Sequence, residues 1–157
     1  MMEKRIIFIG SDAAGYRLKE EIKEYVIEKG YKVSDMGCDS EESCHYPIFA
    51  EKVCLEVQKN PESAFGILIC GTGIGMSMCA NKHKGIRAAL CGDTFSAEMT
   101  RKHNNANVLC MGARVIGSEL AKRICNEFLA ADFEGGRHQL RIDMMADYEN
   151  QDRKNSN

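Results

Sequence analysis

Cys70 closes the most apolar stretch of the chain, Gly66-Ile67-Leu68-Ile69-Cys70, and is followed by Gly71-Thr72-Gly73-Ile74-Gly75. Glycines at this spacing let the backbone approach a ligand closely. A helix starting within or just after the turn adds unpaired N–H groups and a partial positive charge. Such a loop suits a phosphate or an oxyanion. Two common motifs are excluded by single residues. A P-loop ends in Gly-Lys-Ser/Thr, whereas Gly75 precedes Met76-Ser77, and the dinucleotide fingerprint requires glycine where Met76 stands. A tight turn that needs glycine only for steric reasons would read the same way. Cys70 would lie beside a helix N-terminus, where negative charge on sulfur is favoured, so it is a candidate nucleophile or general base. The plainer reading is a buried strand-end cysteine. Cys91 is the next candidate, but its loop, Gly92-Asp93, is poorer in glycine.

Other reactive groups sit at similar punctuation points. Asp12, in Gly10-Ser11-Asp12-Ala13-Ala14-Gly15, either caps a helix or faces a cleft. His103 lies in the polar turn Arg101-Lys102-His103-Asn104-Asn105-Ala106-Asn107, expected beside the strand-end face, where it could transfer a proton. Arg114 follows an apolar run. Arg137 and Arg141 are spaced i, i+4 and share a helix face. Three guanidinium groups converging on one point would clamp a phosphate, although each alone reads as solvated surface charge. Together these residues outline a site of sugar-phosphate size, with no metal-ligand constellation. His138 is either a ligand or merely part of the first turn of a last helix, and the second is the plainer reading.

Five apolar runs, Arg5–Ile9, Lys32–Met36, Phe65–Cys70, Ile86–Cys91 and Asn107–Met111, have strand length and no proline. Helical periodicity separates them, over Ala14–Lys29, Pro47–Lys59, Thr94–His103 and Ser118–Ala131, with a last helix from about His138 to Glu149. The alternation predicts an α/β fold, a parallel sheet with helices on both faces, in one domain over 1–149. The polar end 150–157 is expected to fray. Ligands of open α/β sheets bind beyond the carboxyl ends of the strands, which points to the loops after Ile9, Cys70, Cys91 and Met111.

Composition narrows the function. Of 157 residues, 21 are basic and 23 acidic, a formal charge of −2 that argues against nucleic acid or an anionic membrane as partner. The eight cysteines show no C-x-x-C spacing, which argues against a zinc ribbon or redox dithiol. The apolar run near the N-terminus is too short for a secretory signal, and no stretch reaches membrane-spanning length. A reduced cytoplasmic protein is expected, with most cysteines serving as small buried hydrophobes.

The motifs then resemble a known family. Gly10-Ser11-Asp12-x-Ala14-Gly15-Tyr16-x-Leu18-Lys19, Tyr46-Pro47, Ile69-Cys70-Gly71-Thr72-Gly73-Ile74-Gly75, Ala80-Asn81-Lys82, Gly85-Ile86-Arg87-Ala88, His103-Asn104-x-x-Asn107-Val108, Gly112-Ala113-Arg114 and Gly135-Gly136-Arg137-His138-Gln139 occur in the order seen in ribose-5-phosphate isomerase B and its relatives acting on galactose 6-phosphate and allose 6-phosphate. The resemblance covers roughly residues 5 to 148. It implies a five-stranded, doubly wound, Rossmann-like sheet and an aldose–ketose isomerase without cofactor or metal. It also implies a homodimer or homotetramer with sites shared between subunits. In the implied site, Cys70 moves a proton between C1 and C2 of the sugar, and Gly71–Gly75 hold the enediolate oxyanion with help from Thr72. His103 assists ring opening, and Asp12 engages the sugar. Tyr46, Ile74, Asn104, Arg114, Arg137 and Arg141 join Gly71, Gly73 and Gly75 in binding substrate, the arginines chiefly through the phosphate. One residue departs from the pattern. Ala13 stands where the family typically carries histidine, and it can neither donate a hydrogen bond nor carry a proton. Ribose 5-phosphate is the expected substrate. The alternatives are a hexose 6-phosphate (allose or galactose) or a catalytically impaired sugar-phosphate binder.

Overall fold

The computed structural model describes residues 3–154. Eleven elements follow in chain order: β1 (Ile6–Ser11), α1 (Tyr16–Glu28), β2 (Val33–Asp35), α2 (Tyr46–Lys59), β3 (Ala64–Cys70), α3 (Ile74–Ala80), β4 (Ala88–Leu90), α4 (Thr94–Asn104), β5 (Val108–Gly112), α5 (Ser118–Ala130) and α6 (Arg137–Lys154). The strands form one parallel sheet in the order β2-β1-β3-β5-β4. The chain reverses its direction of winding between β1 and β3, so the loops after these two strands splay apart at their carboxyl ends. Register places Ser11 opposite Ile69 and Cys70 opposite Gly112. The loops carrying Asp12, Cys70 and Arg114 are therefore neighbours.

Strand alternation sorts the core into two layers. Ile7, Ile9, Ile67, Ile69, Leu109 and Met111 pack with Leu18, Ile22, Val26, Ile124 and Phe128 from α1 and α5. Phe8, Leu68, Cys70, Val108 and Cys110 pack with Val53, Cys54, Val57 and Met76 from α2 and α3. Cys54, Cys91, Cys110 and Cys125 are buried, and desolvation pushes all four thiols up, Cys54 to about 12 and Cys91 to about 11. They behave as small apolar side chains, Cys91 included.

Three elements differ most from the sequence expectation. The edge strands β2 and β4 shrink to three residues each. Beside β4 the pairing partner is a side chain: Asn81 accepts from the Ala88 N–H at 2.8 Å and donates to the Ala88 carbonyl at 2.9 Å. α6 starts at Arg137 and runs past Glu149 to Lys154, because 150–154 contain neither glycine nor proline to stop it. Residues 155–157 of the expected tail lie outside the described part.

α1 is tied to β2 by buried charge. Lys19 is fully buried and donates to Glu20 at 2.8 Å and to Asp35 at 2.6 Å, while Lys23 reaches Asp35 at 2.8 Å. Burial alone would raise the Asp35 carboxyl, but hydrogen bonds from Lys19, Lys23 and the Gly37 N–H hold it below the usual range, and Glu20 is lowered in the same way by Lys19 and Lys23. Both folded values lie under the unfolded ones, so their stabilisation is fully present above about pH 5, beyond the unfolded values, and is lost as pH falls through the lowered values. Urea unfolding at a series of pH values is expected to show stability dropping on acidification. Asp35→Asn should flatten that slope, and an equal slope in the variant would remove the assignment.

Candidate functional site

The carboxyl ends of β1, β3 and β5 carry the first group of residues. The Gly73 N–H points at Cys70 Sγ, 3.2 Å away. Gly73 takes φ +79°, a left-handed conformation that turns the strand into α3. The Thr72 hydroxyl accepts from the Ile74 N–H at 3.2 Å. Asp12 accepts from the Gly15 N–H at 3.0 Å and so spends one carboxylate oxygen on its own turn. Arg114 lies over the glycine loop: its N–H bonds the Gly71 carbonyl at 2.9 Å, and its side chain is 3.5–3.6 Å from where a Cβ on Gly71 would be. The Tyr46 ring crosses Gly75, about 2.7 Å from the point a Cβ there would occupy, so only glycine leaves room for the ring. Cys70 itself is buried at the loop's base, while Thr72 and Ile74 are exposed. A cleft of about 320 Å3 runs along this edge, lined by Ala13, Ala14, Arg17, Glu41 and Arg114.

The second group sits at the other end of the sheet, a correction to the expected placement of His103. α4 leaves the carboxyl end of β4 and runs back, so His103 and Asn104 emerge at the amino ends of the strands. There the Asn104 carbonyl accepts from Arg87 Nε at 3.0 Å, Asn107 N–H bonds the Arg87 carbonyl at 3.0 Å, and Gly66 N–H bonds the Asn107 carbonyl at 2.9 Å. About 13 Å of strand separates Gly66 from Cys70. α6 joins the same end, through the Glu134 N–H on the Lys102 carbonyl at 3.1 Å. The three arginines thus do not converge within one chain. Arg114 belongs to the Cys70 end, Arg137 and Arg141 to the His103 end.

His138, in the first turn of α6 as expected, is more than a helix-start residue. It is buried, and its ring stacks on His103 with centroids 4.3 Å apart and planes at 12°. Burial lowers its pKa, and His103, Arg137 and Arg141 push the same way against Glu134. The signal was available in the sequence, since the helix that aligns Arg137 with Arg141 also fixes His138.

Glu134, His103 and His138 bring ligand atoms within 4.8 Å of one another. Stacked parallel rings cannot both hold one ion in their planes, as imidazole coordination demands, and Arg137 and Arg141 add positive charge around His138. This geometry suits an anion better than a cation.

The profile of the Ribose/Galactose Isomerase family matches residues 7–145. The chain belongs to this isomerase family. Ribose-5-phosphate isomerase B of Escherichia coli (strain K12) is 49% identical over 140 residues, covering 89% of this chain and 93% of its own. D-erythrulose-4-phosphate isomerase of Pectobacterium atrosepticum is 46% identical over 148 residues, covering 94% and 97%. Among solved structures, ribose-5-phosphate isomerase B from Mycoplasma genitalium with bound ribulose-5-phosphate superposes with a TM-score of 0.91 at 44% identity, covering 95% of this chain and 99% of that one. The family fold is the doubly wound parallel sheet described above. Among the described residues no helix is long and apolar enough to cross a membrane.

Proposed function

We propose that this family member interconverts ribose 5-phosphate and ribulose 5-phosphate by proton transfer on Cys70, in a site completed by a second copy of the chain. The observation that carries the reading is the thiol at the β1/β3 winding reversal with the Gly73 N–H aimed at its sulfur. As thiolate, Cys70 takes the proton from C2 of the open aldose while the C1 carbonyl becomes an enediolate oxygen. Backbone N–H groups of Gly71–Gly75 meet that oxygen, a contribution of about 3 kcal/mol per well-placed donor. The proton returns to C1 while the C2 hydroxyl gives its own proton to O1, leaving a C2 ketone and a C1 hydroxyl, so atoms balance without a cofactor. Thr72 orients the loop and the O1/O2 pair. Asp12 keeps one oxygen free for a sugar hydroxyl.

The remaining groups come from a partner. His103, which opens the furanose ring, and Asn104, Arg137 and Arg141 all lie at the opposite sheet end from Cys70, so one chain cannot present both sets to a molecule as small as a pentose phosphate. A two-fold pairing that sets the amino end of one sheet against the carboxyl end of the other supplies two complete sites. A homodimer, alone or doubled into a tetramer, meets this requirement.

The test is a coupled assay on the purified protein with ribose 5-phosphate, erythrulose 4-phosphate, allose 6-phosphate and galactose 6-phosphate. Ribose 5-phosphate is expected to give the highest kcat/KM, and Cys70→Ala to reduce its kcat by about 10³-fold, the scale of a lost general base. Turnover that survives Cys70→Ala would remove the thiol from the mechanism. A higher kcat/KM on a hexose 6-phosphate would reassign the substrate.

A further inference from the structure

Arg17 was not among the residues singled out from sequence spacing. It nevertheless opens on the same cleft as Arg114, over the methyl groups of Ala13 and Ala14. Neither alanine side chain offers the cleft a hydrogen-bond donor. Two guanidinium groups and one carboxylate, Glu41, line the cleft, so its charge is net positive. Arg17 engages Glu41 side-on: Nε donates to Oε1, and Nη2 donates to Oε2 at 3.3 Å. That grip fixes the plane of the guanidinium and uses its Nε–Nη2 edge. The Nη1 donors make no hydrogen bond among the described residues. The side chains are 82% and 49% exposed, so the pair adds little to overall stability, but the two-point fork is the geometry in which an exposed pair still orients a guanidinium.

We propose that Arg17 is a ligand of the substrate phosphate in this chain, working with Arg114 across the cleft above Ala13 and Ala14. This rests on the sugar-phosphate reading of the site. Glu41 holds the guanidinium in place, and the unengaged Nη1 edge donates to a phosphate oxygen. The binding site thereby has a second guanidinium on the Cys70 side, where Ala13 and Ala14 provide no donor.

The test compares wild type with Arg17→Met, Glu41→Gln and the double variant. Calorimetry gives Kd for ribose 5-phosphate and for inorganic phosphate, and steady-state kinetics give kcat and KM. Arg17→Met is expected to weaken both ligands about tenfold while kcat changes less than about threefold, since the lost interaction is charge-assisted and remote from the reacting carbons. The double variant is expected to keep that loss. Unchanged affinities in Arg17→Met would overturn the assignment. So would wild-type affinity in the double variant, because Arg17 would then do no more than neutralise Glu41. Wild-type protein that binds both ligands but turns over no sugar phosphate would sink the isomerase reading, and the calorimetric comparison would still decide on Arg17.

Discussion

A mixture of two crippled variants, Cys70→Ala and His103→Ala, is expected to regain about a quarter of wild-type isomerase activity when the chains are allowed to exchange. The expectation follows from where α4 ends. Cys70 closes β3 at the carboxyl edge, and His103 sits where α4 hands over to β5 at the amino edge. If each site takes its thiol from one chain and its imidazole from the other, a mixed pair contains one site with both defects and one with neither. Random exchange makes half of the pairs mixed, so about one site in four is intact. Pairing Cys70→Ala with Arg114→Met serves as the control, because both residues belong to the same end and no intact site can form. The measurement is turnover of ribose 5-phosphate after co-refolding differently tagged chains, with mixed pairs isolated through both tags. Isolated mixed pairs that stay as inactive as their parents would refute the shared site.

The elements that position the first group were legible because they rest on local signals. Periodicity marks the strands and helices, and glycine at 71, 73 and 75 marks the loop, so Cys70, Thr72 and Asp12 fall on neighbouring strand ends as expected. The placement of His103 was implicit in the predicted topology, because in a parallel alternation each helix ends at the amino edge where the next strand begins; its reactive, Asn-rich surroundings pointed the other way. His103 and Asn104 could be recognised as polar and reactive, and their edge follows from α4 running antiparallel to β4. Tertiary substitution does not show in this way. Asn81 and Asn107 stand in motif positions, yet both use their amides as stand-ins for backbone: Asn81 pairs with Ala88, while Asn107 accepts from the Arg87 N–H at 2.8 Å and donates to the Gly85 carbonyl at 2.9 Å. Arg17 escaped notice because its neighbours in the cleft come from three separate stretches of chain, at 13–14, 41 and 114.

Gly112→Ala is expected to lower kcat about 100-fold while the chain still folds, the scale reached when a reacting group is displaced by about an ångström. Gly112 ends β5 opposite Cys70, directly beneath the loop. A Cβ there would lie 2.6 Å from the carbonyl carbon and oxygen of Thr72 and 2.8 Å from its Cα. All three are backbone atoms, so no side chain can swing aside, and the peptide between Thr72 and Gly73 has to move. That peptide carries the N–H that now meets Cys70 Sγ at 3.2 Å. Its shift turns the donor away from the sulfur and spoils the array that would receive the enediolate oxygen. Such preorganised donors act on the transition state more than on the bound sugar, so the loss should appear in kcat with KM changed little. Gly117→Ala is the matched control: no atom lies within 4 Å of its added Cβ, and its φ of −80° suits any residue. Thermal unfolding of both variants separates a damaged loop from a damaged fold. If Gly112→Ala kept wild-type kcat, the close approach of β5 to the glycine loop would have no bearing on the chemistry. If kcat fell only in proportion to lost folded protein, the strain would be general to the sheet edge and not specific to the donor array.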